Sequence, residues 1–545
     1  LLRGAEDAAL LLADAIERKR RVVVVGDFDA DGATSCALAI SVLRQFGLHT
    51  VDYAVPDRFK YGYGLSPAIV EVVAQRFSPD VIVTVDNGIS SIDGVALAKA
   101  WGIDVVVTDH HLPGKTLPAA DVIVNPNQPQ CAFPSKALAG VGVMFYVLIA
   151  LRALLRERAW FERQGLTYPA LTDALDLVAL GTVADMAPLD HVNRILVAGG
   201  LARIRAGLTR PGILGLLQVA GKQVSEVTTD TFGFVLGPRL NAAGRLDDMA
   251  LGIECLLADS LDRSVHCAHQ LQSLNSTRKD IETDMLRVAE NQLATNLERE
   301  DLPAGLVLYD PTWHAGVVGL LASRVKDRCY RPTIAFADAH GDTAVTADDA
   351  PEGAHDELTH DELKGSARSL PGIHIRDVLD TIAGRYPDLM SRFGGHAMAA
   401  GLSLSKGALP AFRRAFSEEV QRRMGDKPLT PCLETDGELA SEAITLETAE
   451  IIALGGPWGQ GFPEPRFEGQ FALLDQRLVG ENHLKVRLGL GNRVLDGIAF
   501  RIDTDVWPDQ AVRHVYTVYK LDINSFRGER RLQLIIDYLV PIAAP

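Results

Sequence analysis

The residues best suited to chemistry come early in the chain. The stretch "RVVVVGDFDADGATS" sets Asp27, Asp29 and Asp31 at alternate positions directly after four valines. A β-branched run with an acidic exit returns at "VTVDNGIS", which carries Asp86, and at "VVTDHHLPG", which carries Asp109, His110 and His111. A further candidate, Asp185, stands in "VADMAPL". A D-x-D-x-D-G run opens the calcium loop of an EF-hand, but that loop needs a bidentate Glu at its twelfth position and a helix leading in. Counted from Asp27 the twelfth residue is Leu38, and Val22 to Val25 read as a buried strand, so this calcium chemistry is excluded. Carboxylates joined by one or two imidazoles suit a pair of divalent ions, manganese or magnesium, and the histidines tilt the choice toward manganese. Two such ions, about 3.5–4 Å apart, activate a water and stabilise the leaving oxygen in phosphoryl chemistry.

Taken singly, each of these residues has a plainer explanation. An Asp after a strand is usually a turn residue or a helix N-cap, and adjacent loop histidines are usually solvated. What joins them is the frame that carries them. Between residues 20 and 125 the runs "RVVVVGD", "TVDYAVP", "DVIVTVDNG", "DVVVTDHH" and "DVIVNPN" alternate with helix-like segments such as "GATSCALAISVLRQFG". This is βαβ punctuation, and it predicts a parallel sheet covered by helices. Ligands of such sheets bind beyond the carboxyl ends of the strands. Asp27, Asp86 and Asp109 each follow a strand, so the parallel arrangement brings them to one edge. "TDALDLVALGTVADMAPL" reads as a helix ending near Asp185.

Residues 261–300 carry the longest polar helical pattern, with Leu261, Val265, Ala268, Leu271, Leu274, Ile281 and Met285 recurring at three or four. This predicts a long bridging helix, 256–300, between a catalytic domain, 1–255, and a second α/β domain, 301–427. In the latter, "AGLVLYD", "RPTIAFAD" and "MAAGLSLS" read as strands, and residues 338–362 as a solvated acidic loop. Residues 428–545 change character. Five strand-like runs and a short helix, "SEAITLETAEIIALG", predict a small barrel of the OB type. The fold class expected is thus α/β with an appended β-barrel.

The chain has 545 residues, 47% of them hydrophobic, with no apolar run long enough to cross a membrane. No signal peptide is legible, and the chain opens mid-pattern in an amphipathic helix, "LLRGAEDAALLLADAIERKR", as a trimmed N-terminus would. The six cysteines form no C-x-x-C pair, which points to a reducing cytoplasm and away from structural zinc or a disulfide framework. The net charge of −16 counts against a phosphate-rich partner. Carboxylates gathered around metal ions are neutralised in the working protein, however, so the sum is a blunt measure.

Together "GDFDADG", "VDNG", "DHH" and "VADMAPL" resemble the four motifs of the DHH phosphoesterase family. "GPRLNAAGRL", "HAGVVGLLASRV", "GSARSLPGIHIRDVL", "RFGGHAMAAGLSL" and "GPWGQGFPEP" are similar to its RecJ-type single-strand exonucleases. The resemblance implies a DHH catalytic domain, a DHH-associated domain and an OB-like domain. It implies 5′→3′ hydrolysis of single-stranded DNA to 5′-mononucleotides in repair and recombination, with two Mn2+ or Mg2+ ions. Asp27 and Asp86 would hold one ion. Asp29, Asp86, His110 and Asp185 would hold the other, with Asp86 bridging. His111 would face the scissile phosphate, Asp109 would orient the histidines, and Asp31 would shape the loop. Pyrophosphatase relatives carry a His four residues before the first Asp; here that position is Val23, so the first ion should be held more weakly.

For the strand itself the resemblance implies a 5′-phosphate grip by Arg58, Ser366 and Arg368, with further contacts from Arg239, Asn241, Arg278 and His396. Arg58 sits in "VPDRFKYGYGL" beside Phe59, Tyr61 and Tyr63, a basic and aromatic mixture suited to stacking and backbone tracking. Lys485 and Arg487 alternate with Leu484, Val486 and Leu488 and therefore share one face of a strand. The partners implied are single-stranded DNA with a free 5′ end, single-strand-binding protein and a RecQ-type helicase, with no membrane; the expected state is a monomer. A small-substrate phosphodiesterase of the same family would need neither a long helix nor a barrel. A non-catalytic scaffold would have lost ligands that this chain keeps.

Overall fold

The computed structural model describes residues 2–57, 61, 63–297, 302–339, 361–425, 430–526 and 529–543. They form two compact units. One comprises Leu1–Pro56, Tyr63–Gly237 and Cys432–Pro545; the other comprises Asp57–Gly62 and Pro238–Pro431.

The first unit opens on strands β1 (Val22–Gly26), β2 (Val51–Ala54), β3 (Val81–Val85), β4 (Asp104–Thr108) and β5 (Val122–Val124). They pair in the order β2-β1-β3-β4-β5, every pair parallel. Val22–Gly26 and Val81–Val85 are buried along their whole length. Continuous valine runs are what a sheet covered on both faces requires. Register then fixes the site: Gly26 pairs with Val85, and Val85 with Thr108. The next residues along the three strands are Asp27, Asp86 and Asp109, so three acidic exits stand side by side. Helices Ala30–Gln45, Gly140–Glu157 and Leu175–Ala184 pack against one another. The last ends at Asp185, its C-cap.

The second unit contains β6 (Leu306–Tyr309), β7 (Thr333–Asp338), β8 (Glu362–Arg368), β9 (Arg392–Gly395) and β10 (Ala399–Ser405) in the order β6-β7-β8-β10-β9. Only β6 and β7 run parallel. Strand β8, which bears Ser366 and Arg368, has no apolar signature in the sequence. Its inward positions are Leu363, Gly365 and Ala367. A Cβ on Gly365 would lie 2.3 Å from the Phe336 ring, so the small residue makes room for that aromatic core side chain. The acidic segment expected at 338–362 falls almost wholly outside the described residues.

The long helix spans Leu261–Leu297, 37 residues, about 55 Å at 1.5 Å per residue. It follows a separate helix, Ala250–Leu257. Ala268, Leu271 and Met285 are buried as the periodicity predicts, whereas Leu261 is 43% exposed. Between the apolar stretches the buried stripe continues through polar residues, Asn275, Arg278 and Glu282.

The C-terminal part of the first unit is a closed barrel of β11 (Phe467–Val479), β12 (His483–Leu490), β13 (Arg493–Ala499), β14 (His514–Phe526) and β15 (Glu529–Pro541). Leu484, Val486 and Leu488 point into its core with Phe471, Tyr519 and Leu534. Lys485 and Arg487 lie on the opposite face of β12. The short helix is Leu446–Gly455. All six cysteines are free thiols. Among the described residues no helix is long and apolar enough to cross a membrane.

Candidate metal centre

The carboxylates arrive at the sheet edge by different local devices. Asp27 leaves β1 and accepts a hydrogen bond from the Phe28 N–H. Asp29 caps the helix Ala30–Gln45, its Oδ1 accepting from the N–H groups of Asp31 and Gly32. Asp31 turns inward instead. Its two oxygens accept from Gly140 N at 2.6 Å and Val141 N at 3.0 Å, at the N-terminus of Gly140–Glu157. Asp86 adopts φ +62°, a left-handed conformation uncommon for a residue with a Cβ. Asn87 secures that turn by donating to the carbonyls of Val25 and Val85. A Cβ on Gly140 would lie 2.6 Å from Asp86 Cβ, so only glycine lets this helix start so close.

The resulting ligand atoms form three overlapping groups: Asp27 with Asp29 and Asp86; Asp86 with His110 and His111; and Asp31 with His110 and Asp185. Within each group the atoms lie within 4.8 Å of one another. Asp86 and His110 each belong to two groups. His110 Nε2 is 3.1 Å from Asp86 Oδ1 and 3.9 Å from Asp185 Oδ2. Asp86 Oδ1 and His110 Nε2 are buried and, although close, make no well-directed hydrogen bond to each other or to any other group, a costly arrangement unless something else binds there.

The electrostatics agree with that reading. Burial, reinforced by the charges of Asp31, Asp29 and Asp27, holds the Asp86 carboxyl well above the usual carboxylate range. Burial and then Asp29 push Asp185 up to about 8, and burial and then Asp185 push Asp31 up to about 7. Burial and the neighbouring His111 lower His110, which favours the neutral imidazole that binds metals. A divalent cation supplies the positive charge and the ligand bonds that this donor set lacks, so the residues fit such an ion.

Asp109 does a different job. Its Oδ2 accepts from Ile89 N at 2.8 Å; its Oδ1 accepts from the backbone of His110 and His111 and lies 2.7 Å from His111 Nδ1. Burial opposes its ionisation most strongly, but the hydrogen bonds and positive charge of His111, together with His110, outweigh it and lower Asp109 to about 2. Burial opposes the charge of His111 too, yet Asp109 raises that ring to about 9. The pair is therefore an anchored imidazolium.

Three residues not singled out from the sequence for this centre complete it. Tyr63 Oη sits 3.2 Å from His111 Nδ1, and its ring meets those of Phe28 and His111 edge-on. Asn125 and Asn127 donate to the carbonyls of His111 and His110. The "NPN" at the end of β5 was the available signal, because Asn side chains of this spacing commonly hold loop backbone.

The remaining predicted residues lie elsewhere. Arg58 lies outside the described residues. Ser366 and Arg368 project from the same face of β8, with Arg368 Nη1 donating to Ser366 Oγ at 2.8 Å. His396 is exposed in the turn between β9 and β10. Arg239 and Asn241 lie on the helix Gly237–Leu246. Arg278 is buried, with its guanidinium donating to Glu282 at 2.5 Å and Asn275 at 2.6 Å.

A parallel sheet with this acidic and imidazole edge defines a DHH-domain protein, and the family model "DHH family, N-terminal domain" matches residues 21–182. A DHHA1 domain matches 303–422 and a RecJ OB domain 435–538. The chain belongs to the RecJ family of single-stranded-DNA-specific exonucleases: it is 53% identical to the Dickeya dadantii member, over 99% of this chain and 91% of that one. To the Escherichia coli member it is 51% identical with the same coverage. The crystal structure of RecJ from Thermus thermophilus in complex with Mn2+ matches with a TM-score of 0.77 and 30% identity, covering 100% of this chain and 72% of that one.

Proposed function

We propose that this chain is a 5′→3′ exonuclease that hydrolyses single-stranded DNA to 5′-mononucleotides with two divalent ions, Mn2+ or Mg2+, in DNA repair and recombination. The observation that carries the proposal is the sharing of Asp86 and His110 between overlapping ligand groups, which gives one carboxylate access to two ion positions. Asp27 and Asp86 would hold one ion, and Asp29, Asp86, His110 and Asp185 the other. When bound, the ion pair supplies a water activated for attack and charge to stabilise the leaving oxygen. Asp31, with both oxygens accepting from Gly140 and Val141, holds the helix N-terminus against Asp86. In the metal-free site Asp109 raises His111 toward its protonated form, and Asp109 and Tyr63 fix its ring to face a phosphate.

Arg58, Ser366 and Arg368 would take the 5′ terminal phosphate through hydroxyl and guanidinium hydrogen bonds. Arg239, Asn241, Arg278 and His396 are further strand contacts in this reading. The exposed face of β12 with Lys485 and Arg487 would follow the backbone of a single strand, as OB barrels do. Single-strand-binding protein and a RecQ-type helicase are the partners, the working state is a monomer, and the compartment is the cytoplasm. The test incubates the protein with Mn2+ and 5′-labelled oligonucleotides of graded length. Release of labelled mononucleotides from long single strands is expected, and cleavage confined to dinucleotides would refute the reading.

A further inference from the structure

The motif "GPWGQGFPEP" belongs to the segment that leads into the barrel, yet it contacts Pro188, Leu189, Arg194 and Thr229 of the same unit. Gly459 and Phe462 close a tight hairpin through reciprocal backbone hydrogen bonds of 2.9 and 3.0 Å. The carbonyl at its tip, on Gln460, accepts from Leu189 N at 2.6 Å. Trp458 stacks on Phe462 with ring centroids 5.0 Å apart, and the guanidinium of Arg194 lies 3.8 Å from the Phe462 centroid. Thr229 Oγ1 donates to the Trp458 carbonyl at 2.7 Å. The approach is close: a Cβ on Gly459 would lie 2.8 Å from Leu189 Cδ1, and one on Gly461 3.3 Å from Pro188 Cβ.

Pro188 and Leu189 end the short loop that begins at Asp185. That loop includes Met186 in a left-handed conformation, φ +57°. Its far end is fixed where Asp190 caps the helix His191–Arg205 and Asn193 donates to the Pro188 carbonyl. The hairpin grips the loop between these points. Beyond the hairpin the same segment is fastened to the barrel, Glu464 to Lys520 on β14 and Arg466 to Asp537 on β15.

We propose that residues 456–462 form a clasp that positions Asp185, so that the barrel-bearing part of the chain sets divalent-ion occupancy at the sheet edge. The clasp residues touch neither substrate nor ion; they act through the Asp185 loop. The proposal rests on the reading of Asp185 as a ligand. A carboxylate at a loop start, only partly buried, holds an ion well only if the loop has one position, and the clasp removes the alternatives.

The test measures Mn2+ binding to the metal-free chain by calorimetry, alongside circular dichroism. Gly459→Val drives bulk into Leu189 and should weaken binding about tenfold, equal to about 1.4 kcal/mol. The manganese concentration for half-maximal activity should rise in step, and saturating manganese should restore turnover. Adding Leu189→Ala to Gly459→Val should recover most of the affinity. Thr229→Val, which removes one clasp hydrogen bond without adding bulk, should shift affinity the same way but less. Asp185→Asn is the benchmark. If it weakens binding while both Gly459→Val and Thr229→Val bind like wild type, the clasp is refuted and the ligand assignment stands. If Asp185→Asn itself binds like wild type, the ligand assignment fails and the clasp with it.

Discussion

Two buried polar regions of the molecule are built on opposite plans. Along the helix Leu261–Leu297, Arg278 meets Glu282, and Glu282 also accepts from Arg324 at 2.8 Å. Glu419 is matched in the same way by Arg422 and Arg423, whose hydrogen bonds lower it to about 2 although burial opposes them. At the edge of β1, β3 and β4, by contrast, burial and then neighbouring carboxylates raise the proton affinity of Asp31, Asp86 and Asp185. Balanced burial of charge holds a fold together; unbalanced burial of one sign marks a place kept for a ligand of the other sign.

The largest effect expected from breaking the unbalanced region is on catalysis. Asp86→Ala should lower turnover at least about a thousandfold, roughly 4 kcal/mol of transition-state stabilisation, with unchanged circular dichroism. Near-normal turnover would remove Asp86 from its bridging role. Breaking the balanced region should instead cost stability. Glu282→Gln leaves Arg278 buried without its counter-charge and should destabilise the chain by about 3 kcal/mol in urea denaturation. An unchanged midpoint would mean that water already screens the pair.

A smaller effect is expected at β8. If Arg368 grips the terminal phosphate, Arg368→Ala should reduce kcat/KM on 5′-phosphorylated strands by about ten- to a hundredfold and on 5′-hydroxyl strands much less. Equal losses on both would make Arg368 a general backbone contact. The smallest effect concerns the metal-free protein and has the opposite sign to ordinary loss of a polar group. Asp86→Asn should raise its thermal stability by about 1 kcal/mol, because one repelling charge is gone. Carboxyls raised on folding favour the native state at low pH and cease to as pH climbs through the folded values. Stability of the metal-free chain should therefore fall between the ordinary value of 3.8 and about 8, the folded value of Asp185. Saturating Mn2+ should flatten that slope, and a slope unaffected by metal would place its origin elsewhere.

The parallel sheet was legible because its strands are unmixed valine runs with acidic exits, and register did the rest. The barrel was legible from alternation, as in Leu484 to Leu488. Strand β8 was hidden because its core face is only Leu363, Gly365 and Ala367, with the glycine making room for Phe336 of another strand. The burial of Asn275, Arg278 and Glu282 was not legible, since their partnering, including Arg324 forty-odd residues on, is a tertiary fact. Tyr63 was legible only as a candidate for stacking bases. Its contact with His111 is a tertiary one that no local pattern encodes.

The central claim is that one carboxylate serves two ions. Mn2+ titration of the metal-free chain by calorimetry tests it directly, comparing wild type with Asp86→Asn. The account predicts two ions per wild-type chain, the one held by Asp27 and Asp86 weaker because Val23 stands where relatives of the pyrophosphatase type have a histidine, and the loss of both binding phases in Asp86→Asn. A single ion in the wild type, or two retained by Asp86→Asn, would contradict it.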